Sequence, residues 1–467
     1  MAHLYFHNLH YEKFPDGTVK CIEDEIPFEL PEGWRWDRLG NVSIIARGGS
    51  PRPIESYITD DENGINWIKI GDTEKDGKYI FKTKEKIKPE GLSKSRYVES
   101  GDFLLTNSMS FGRPYILRTD GCIHDGWLVI GNIDTVFNQD FLYYALSSYF
   151  MYQTLSLLAA GSTVKNLKSD TVKSVLFPIP PMREQKRIAE KIDSLISFVI
   201  KIESDKTDLQ TTIQLTKSKI LELAIRGKLV PQDPNDEPAS ILLERIRTEK
   251  EELIKQGKIK RDKKESVIFK GDDNSYYEKI GDTVTCIDEE LPFELPDEWT
   301  WCRGASCFLP MESRKPSSSH FKYIDIDSID NKHQAIREAK ITETAKAPSR
   351  ASRAVFDGSI LFSLVRPYLK NIALVDSSNA DSIASTGFYI ATSNGVFIPK
   401  FLYILMISAY VVDGLNQFMK GDNSPSINKD NIEKWLYPVP PLTEQVKIAD
   451  TVQKYLSILE DIEKSLS

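Results

Sequence analysis

The stretch Cys21-Ile-Glu-Asp-Glu-Ile-Pro-Phe-Glu-Leu-Pro-Glu-Gly-Trp34-Arg-Trp36-Asp-Arg38 returns 265 residues later as Cys286-Ile-Asp-Glu-Glu-Leu-Pro-Phe-Glu-Leu-Pro-Asp-Glu-Trp299-Thr-Trp301-Cys-Arg303. A second echo lies downstream of each. Pro178-Ile-Pro-Pro181-Met-Arg-Glu184-Gln185-Lys-Arg-Ile188-Ala189 matches Pro438-Val-Pro-Pro441-Leu-Thr-Glu444-Gln445-Val-Lys-Ile448-Ala449, at an offset of 260. Two separated blocks repeated in the same order mark two copies of one module. Between the blocks, roughly 40–140 and 305–400, almost nothing aligns. Matching ends and unmatched middles describe one scaffold carrying two different binding surfaces.

Length and composition fit a soluble globular chain: 467 residues, 40% hydrophobic, 27% charged. The start lacks the basic and apolar pattern of a secretion signal. Five cysteines include no C-x-x-C and no neighbouring histidine cluster, so neither a disulfide framework nor a zinc site is expected. Cys302 and Cys307 read as buried positions in a reducing cytoplasm. Phe141–Ala160 carries no charge over a length that could span a bilayer. Its serines and threonine, and Asp413 in its copy, point instead to a buried helix beside a sheet. The net charge of −8 argues against nucleic acid, but the excess is local. Residues 34–178 hold 18 bases and 17 acids, residues 299–440 hold 16 and 13, and residues 1–33 hold seven acids against two bases.

Each module opens with the acidic lead and W-x-W, then runs through short β-rich segments: Trp67-Ile-Lys69-Ile70, 102–106 and 127–130 in the first, 323–326, 360–362, 372–375 and 388–390 in the second. Gly and Asp separate them as turns. After each P-x-P-P a helix begins, with proline in the first turn and Glu184 or Glu444 at the positive end of the dipole. Apolar residues then step by four and three: Ile188, Ile192, Leu195, Val199, Ile202, Leu209, Ile213, Ile220 and Leu223, broken at Lys206 and Thr216. That span is a rod of about 54 Å, stopped by Gly227 and Pro231. The second helix keeps the phase through Ile448, Val452, Tyr455, Leu459, Ile462 and Leu466 and is shorter. A narrow seam of this kind requires a partner helix, and the other copy is the obvious one. A charged helix over about 238–256 reads as a solvated brace, followed by a linker over 257–275. The fold class expected is α+β, with domains at 1–33 (lead), 34–180 (first module), 181–265 (central helices), 266–298 (linker and repeated lead), 299–440 (second module) and 441–467 (final helix).

No dinucleotide or phosphate-binding glycine motif occurs, nor the tetrapeptide of amino-methyltransferases. His124-Asp125 is the one histidine–carboxylate pair, and without a nucleophile it reads as a turn. Candidate binding groups recur at equivalent places. Arg47-Gly48-Gly-Ser50-Pro-Arg52 can set backbone N–H groups and guanidinium forks against phosphate or a guanine edge. Asn107-Ser108-Met-Ser110-Phe-Gly-Arg113 follows a β-run, Lys69 lies within one, and Lys165 and Lys168 precede the exit. In the second copy the places are taken by Arg314-Lys315-Pro-Ser317, by Ser363 and Arg366, and by Asn423, Ser424, Asn428 and Lys429. Lys82, Lys84, Lys86 and Lys88 alternate as on one face of an exposed edge strand. The W-x-W pairs read as core anchors.

Taken together, the lead P-F-E-L-P-x-x-W-x-W, the loop G-G-S-P-R-P, N-S-x-S-x-G-R-P, the exit P-I-P-P-x-x-E-Q, the central A-I-R-G-K-L-V-P-Q-D-P-N-D-E-P-A-S of 224–240 and the helix after it resemble the specificity subunit of type I restriction–modification systems. The resemblance spans almost the whole chain. It implies two target-recognition domains separated by conserved helices in an antiparallel coiled coil, each domain reading half of a bipartite double-stranded DNA site. It further implies a non-catalytic cytoplasmic subunit without a cofactor of its own. S-adenosylmethionine would sit on two methyltransferase subunits held by the helices, and ATP and magnesium on restriction subunits reached through them. A protein-only two-module scaffold, a self-sufficient methyltransferase or nuclease, and a silent copy are the alternatives.

Overall fold

The computed structural model describes residues 9–74, 77–107, 111–159, 166–258 and 265–466. The chain divides into two compact units, 1–202 and 203–467. In each unit the two echoed blocks lie side by side. Arg35–Arg38 pairs antiparallel with Leu176–Ile179, setting Trp36 opposite Pro178. Thr300–Arg303 pairs with Leu436–Val439, setting Trp301 opposite Pro438. A two-stranded ribbon tolerates these prolines because its outer N–H positions need no partner. The repeat therefore marks the seam that closes a module on itself.

Between the ribbon strands the first module folds into two five-stranded sheets. One runs Ile44–Arg47, Trp127–Gly131, Phe103–Thr106, Pro114–Leu117, Tyr79–Ile80; the other runs Ile58–Thr59, Glu85–Ile87, Ile65–Ile68, Gly121–Ile123, Arg96–Val98. The second module keeps the centre of both. Ile360–Ser363 lies between Ile372–Leu374 and Phe388–Ala391, while His320–Ile324 lies between Lys340–Glu343 and Ile383–Ser385. Central strands such as Phe103–Thr106 and Ile360–Ser363 are buried along their whole length, which is why they read as unbroken apolar runs rather than alternations.

Several expectations are corrected in detail. The uncharged stretch is not one helix but two, Gln139–Ser147 and Tyr149–Leu158, and its copy is Pro399–Ile407 and Ala409–Asn416. Ser148 and Ser408 make the break: each hydroxyl donates to the carbonyl of Ala145 or Leu405 and caps the next helix at Met151 or Val411. No helix among the described residues is long and apolar enough to cross a membrane. The lysine alternation is not an edge strand. Only Glu85–Ile87 is extended, it is paired on both sides, and Lys84, Lys86 and Lys88 donate to the carbonyls of Gly71, Glu62 and Ser56. Cys302 and Cys307 are buried as expected, with their sulfur atoms side by side.

The central helix runs Met182–Ile225 and ends before Gly227, whose φ of +66° suits glycine. Its C-terminal half pairs antiparallel with the helix Leu442–Ser465. Lys217 Nζ reaches Glu463 at 2.7 Å, while beyond the helix end Gln232 reaches Glu444 at 2.7 Å, so numbering rises on one side as it falls on the other. Ile213, Ile448 and Val452 are buried in this half, Ile220, Leu223 and Leu459 are partly buried, and Tyr455 and Ile462 stay more than a third exposed. Ile188 and Ile192 are half-buried near the helix start, whereas Leu195, Val199, Ile202 and Leu209 are 41–53% exposed. The brace helix, Ala239–Lys255, is less solvated than expected, with Ala239 and Leu242 buried.

Two polar devices hold these pieces, and each is built twice. Gln185 Nε2 donates to the carbonyls of Val136 and Pro180, and its Oε1 accepts from Asn138 N–H at 2.8 Å. Gln445 repeats this with Val396, Pro440 and Ile398. Both amides are fully buried. Arg38 forks onto Glu12, bonds Glu25 at 2.7 Å and caps the Ser174 carbonyl; Arg303 does the same with Glu278, Glu290 and Lys434. Burial alone would push the Glu278 carboxyl up, but the Arg303 guanidinium and Ser266 hold it below the usual carboxylate range.

Gln445→Ala leaves the Ile398 N–H and the Val396 and Pro440 carbonyls unpaired in a dry site, costing about 1–3 kcal/mol. Native-state hydrogen exchange at the Ile398 amide should accelerate by roughly tenfold or more; an unchanged rate would show that the amide does not hold this junction.

Candidate nucleic-acid interface

In the first module the glycine-rich loop leaves the strand Ile44–Arg47 and crosses the His124–Asp125 turn. Gly48 N–H donates to the Trp127 carbonyl at 2.9 Å and Gly49 N–H to Ile123 at 3.2 Å. A Cβ on Gly48 would stand 2.2 Å from the His124 carbonyl oxygen, so only glycine lets the loop approach this closely. Gly48 thus places its neighbours.

Those neighbours converge on Asp125. Its backbone carbonyl accepts from Arg47 Nε at 3.1 Å and from Asn107 Nδ2 at 2.7 Å. Its carboxylate takes Ser50 Oγ at 3.0 Å, Arg52 Nη2 at 3.4 Å and His124 Nε2 at 3.0 Å. His124 Nδ1 accepts from Gly126 N–H at 2.9 Å, so the neutral ring carries its proton on Nε2 and aims it at Asp125. Burial works against charge on Asp125, but His124, Ser50, Arg52 and Arg47 hold its carboxyl below the usual range. Four sequence candidates from two distant segments are thereby fixed by one residue. In the sequence Asp125 reads as part of a turn; a turn it is, and the clue to its further role is that it directly precedes Gly126 between two apolar runs.

Beside this hub lies a cavity of about 700 Å³ lined by Ser50, Arg52, Trp67, Lys69, Glu85 and His124 among others. Arg52 is 80% exposed at its mouth. Lys69 is ion-paired with Glu85 inside it. Asn107, by contrast, is 1% exposed and positions the turn rather than facing solvent. The Arg113 guanidinium lies over the Tyr115 ring. Lys168 is exposed where a short helix, Ser169–Lys173, begins. Ser108, Ser110 and Lys165 lie outside the described residues.

The second module arranges its candidates differently. Arg314 rests over the Phe356 ring and donates to the Ala380 carbonyl at 3.4 Å, with Lys315 and Ser317 exposed beside it. Ser363 is 1% exposed and its hydroxyl goes to the Val365 carbonyl, so it shapes the loop. Arg366 adopts a left-handed backbone, φ +46°, and its Nη2 donates to the Asn423 carbonyl at 2.8 Å while its own N–H bonds Pro425. The loop of Arg366 is thus stitched to the loop of Asn423 and Ser424. Asn428 caps the helix Lys429–Lys434, and Lys429 pairs with Glu433. Among the described residues no cluster of three or more histidine, cysteine or acidic side chains could hold a metal.

Asp125→Ala removes three carboxylate partners at once, an expected loss of about 1–3 kcal/mol. Because its folded pKa is depressed, this contribution is present above the ordinary carboxylate pKa and fades as pH falls through the lower folded value. The wild-type and variant thermal midpoints should therefore differ at pH 7 and converge in strong acid; equal midpoints at pH 7 would remove Asp125 as the organiser.

Residues 31–211 and 322–467 match the family model described as "Type I restriction modification DNA specificity domain". Among curated proteins, the chain is 26% identical to the type I restriction enzyme EcoEI specificity subunit of Escherichia coli, over 96% of this chain and 82% of that one. It is 25% identical to the EcoAI specificity subunit of the same organism, over 93% and 79%. Among solved structures, the HsdS subunit from Thermoanaerobacter tengcongensis superposes with a TM-score of 0.58 at 17% identity, covering 94% of both chains, a likeness of fold. A chain that repeats one module on long helices and matches that model over more than half its length belongs to the family of type I restriction–modification specificity subunits.

Proposed function

We propose that this chain recognises an asymmetric bipartite site on double-stranded DNA, one half-site per module, and holds two methyltransferase subunits on its helices. The observation that carries this reading is the convergence of Arg47, Ser50, Arg52 and Asn107 on Asp125, at a place where the second module has different chemistry. A fixed backbone beneath exposed arginines is the arrangement needed to present guanidinium forks to base edges. The two modules differ there, so the half-sites differ. The chain itself is non-catalytic and cytoplasmic. S-adenosylmethionine belongs to the methyltransferase partner, and ATP and magnesium to a restriction partner reached through it.

The docking face for the methyltransferase is the exposed part of the central helix. Leu195, Ile196, Phe198, Val199, Ile200 and Ile202 are 43–61% exposed, and at 100° per residue they cover an arc of about 200°. That is wider than one coiled-coil seam, and it suits coverage by more than one helix.

The test is to reconstitute the chain with its methyltransferase partner and map methylated adenines. A split motif with a fixed gap is expected; Arg52→Ala should relax one half and Arg366→Ala the other, each by about 1–3 kcal/mol at one position. Methylation with no defined sequence would reject the reading in favour of a protein-only scaffold or a silent copy. Phe198→Asp should weaken co-purification of the methyltransferase at least tenfold while leaving the thermal midpoint of the chain unchanged.

A further inference from the structure

The two modules share an ion pair at one structural position, with its charges exchanged. In the first, Lys69 opens the short turn that follows the strand Ile65–Ile68, and it pairs with Glu85 on the neighbouring strand, where Glu85 stands opposite Trp67. In the second, Asp325 opens the corresponding turn after His320–Ile324, and it pairs at 2.6 Å with Lys340, which stands opposite Tyr323. The match is not approximate. Both turn residues follow the register-bearing aromatic by two positions, and in both modules that strand pairs in parallel with the one leading to the Gly126 or Gly387 turn. The cation is on the turn in one module and on the strand in the other.

A structural role accounts for a pair and, at Asp325, for the acid, whose carboxylate also accepts from Ser328 N–H at 3.1 Å and caps its turn. In the first module Asp72 takes the capping place by accepting from Lys69 N–H at 2.8 Å, which leaves the polarity of Lys69 and Glu85 unset. Either polarity ties turn to strand, and pairs this exposed, 34% and 37% for Lys69 and Glu85, 49% and 25% for Lys340 and Asp325, contribute little to stability. Phosphate contact accounts for it no better. That role favours cations in both modules, and a carboxylate beside them repels the backbone. Base reading does depend on polarity. An ammonium donates to guanine O6 and N7, a carboxylate accepts from cytosine N4, and the two sit side by side on the major-groove edge of one base pair. In the first module the pair lines the cavity beside Arg52 and Ser50, within the group already assigned to DNA.

We infer that the Lys69–Glu85 and Asp325–Lys340 pairs each read one G·C base pair, lysine on guanine and carboxylate on cytosine, and that the exchange of charges makes the two modules accept that pair in opposite orientations. This rests on the DNA-reading function proposed above. Glu85, Asp325 and Lys340 then join Lys69 as specificity residues, and the two acids act by selection rather than by affinity.

The experiment is methylation mapping with the reconstituted complex, comparing wild type with the exchanges K69E/E85K and D325K/K340D. Each exchange keeps an ion pair, D325K also removes the carboxylate that caps its turn at Ser328, and the thermal midpoint checks the fold of both. The expected result is a reversal from G·C to C·G at one position of the first half-site for K69E/E85K, on the order of tenfold or more in preference, with the second half-site unchanged. D325K/K340D should do the same in the second half-site alone. If an exchanged protein does not fold, the neutral variants E85Q and K340Q replace it and should relax that position. A wild-type split motif that no variant alters, in folded complexes, overturns the inference and leaves the pairs as ties between turn and strand. A wild-type complex with no split motif overturns the DNA-reading function, and the inference with it.

Discussion

A buried glutamine amide joins each long helix to its module, and most of the architecture depends on that junction. The carbonyls of Val136 and Pro180 and the N–H of Asn138 belong to a loop and a strand end that have no ladder partner of their own, and Gln185 satisfies all three. Gln445 does so at Val396, Pro440 and Ile398. An amide has donors and an acceptor in one rigid group, which glutamate or leucine cannot replace at this site. The P-x-P-P-x-x-E-Q signature is therefore a joint, with proline starting the helix and glutamine locking its first turn to the helix pair. Because the joint sits on the closing ribbon, everything strung between the ribbon strands can change without loosening the helix.

The lead segment follows the same logic with charge. Arg38 and Arg303 each bind two carboxylates from the lead and one carbonyl at the end of the short helix before the exit strand. Arg303 and Glu278 are 16% and 9% exposed, so removing one partner would strand a buried charge at a cost of about 3–5 kcal/mol, whatever the net worth of the intact pair. The two modules part company next to this lock. In the second, Trp299 Nε1 donates to Glu444 at 2.9 Å and Gln232 covers the same carboxylate, which burial pushes above the usual range despite both donors. In the first, the equivalent Trp34 Nε1 is buried with no partner among the described residues. The central segment that follows Gly227 is what completes the second module.

The parts of this fold legible in the sequence were those governed by local rules. Helix starts at Pro181 and Pro441, the stop at Gly227 and the heptad phase are one-dimensional signals, and they correspond to elements at 182–225 and 442–465. The break at Ser148 was not legible, because an uncharged run looks the same whether one helix or two, and a serine cap inside it competes only through a bond to the previous turn. The lysine alternation misled for a related reason: period two is also produced by side chains reaching different carbonyls around a three-residue strand. At the interface, residue type was legible and role was not. Asn107 and Ser363 carry the right donors, but burial turns them inward. Asp125 reads in the sequence as part of a turn without a nucleophile, and nothing in the local sequence singles out Glu85.

That last difficulty bears on the net charge of −8. Affinity for DNA comes mainly from phosphate neutralisation and carries no sequence information. A subunit that works inside a larger assembly can leave much of that affinity to its partners, and its own surface is then free to hold acids where they discriminate. Asp125 illustrates the first use of such an acid, as the anchor that stops Arg47, Ser50 and Arg52 from wandering. Each side chain so fixed forfeits less entropy when a base edge arrives. In the base reading inferred above, a carboxylate that receives a cytosine amino group is the second use, and its repulsion of the wrong edge counts as much as its attraction to the right one. Under the function proposed above, the near-neutral modules, with 18 bases to 17 acids and 16 to 13, are balanced for selectivity, and the exposed apolar helix is the face through which partners would supply the missing affinity.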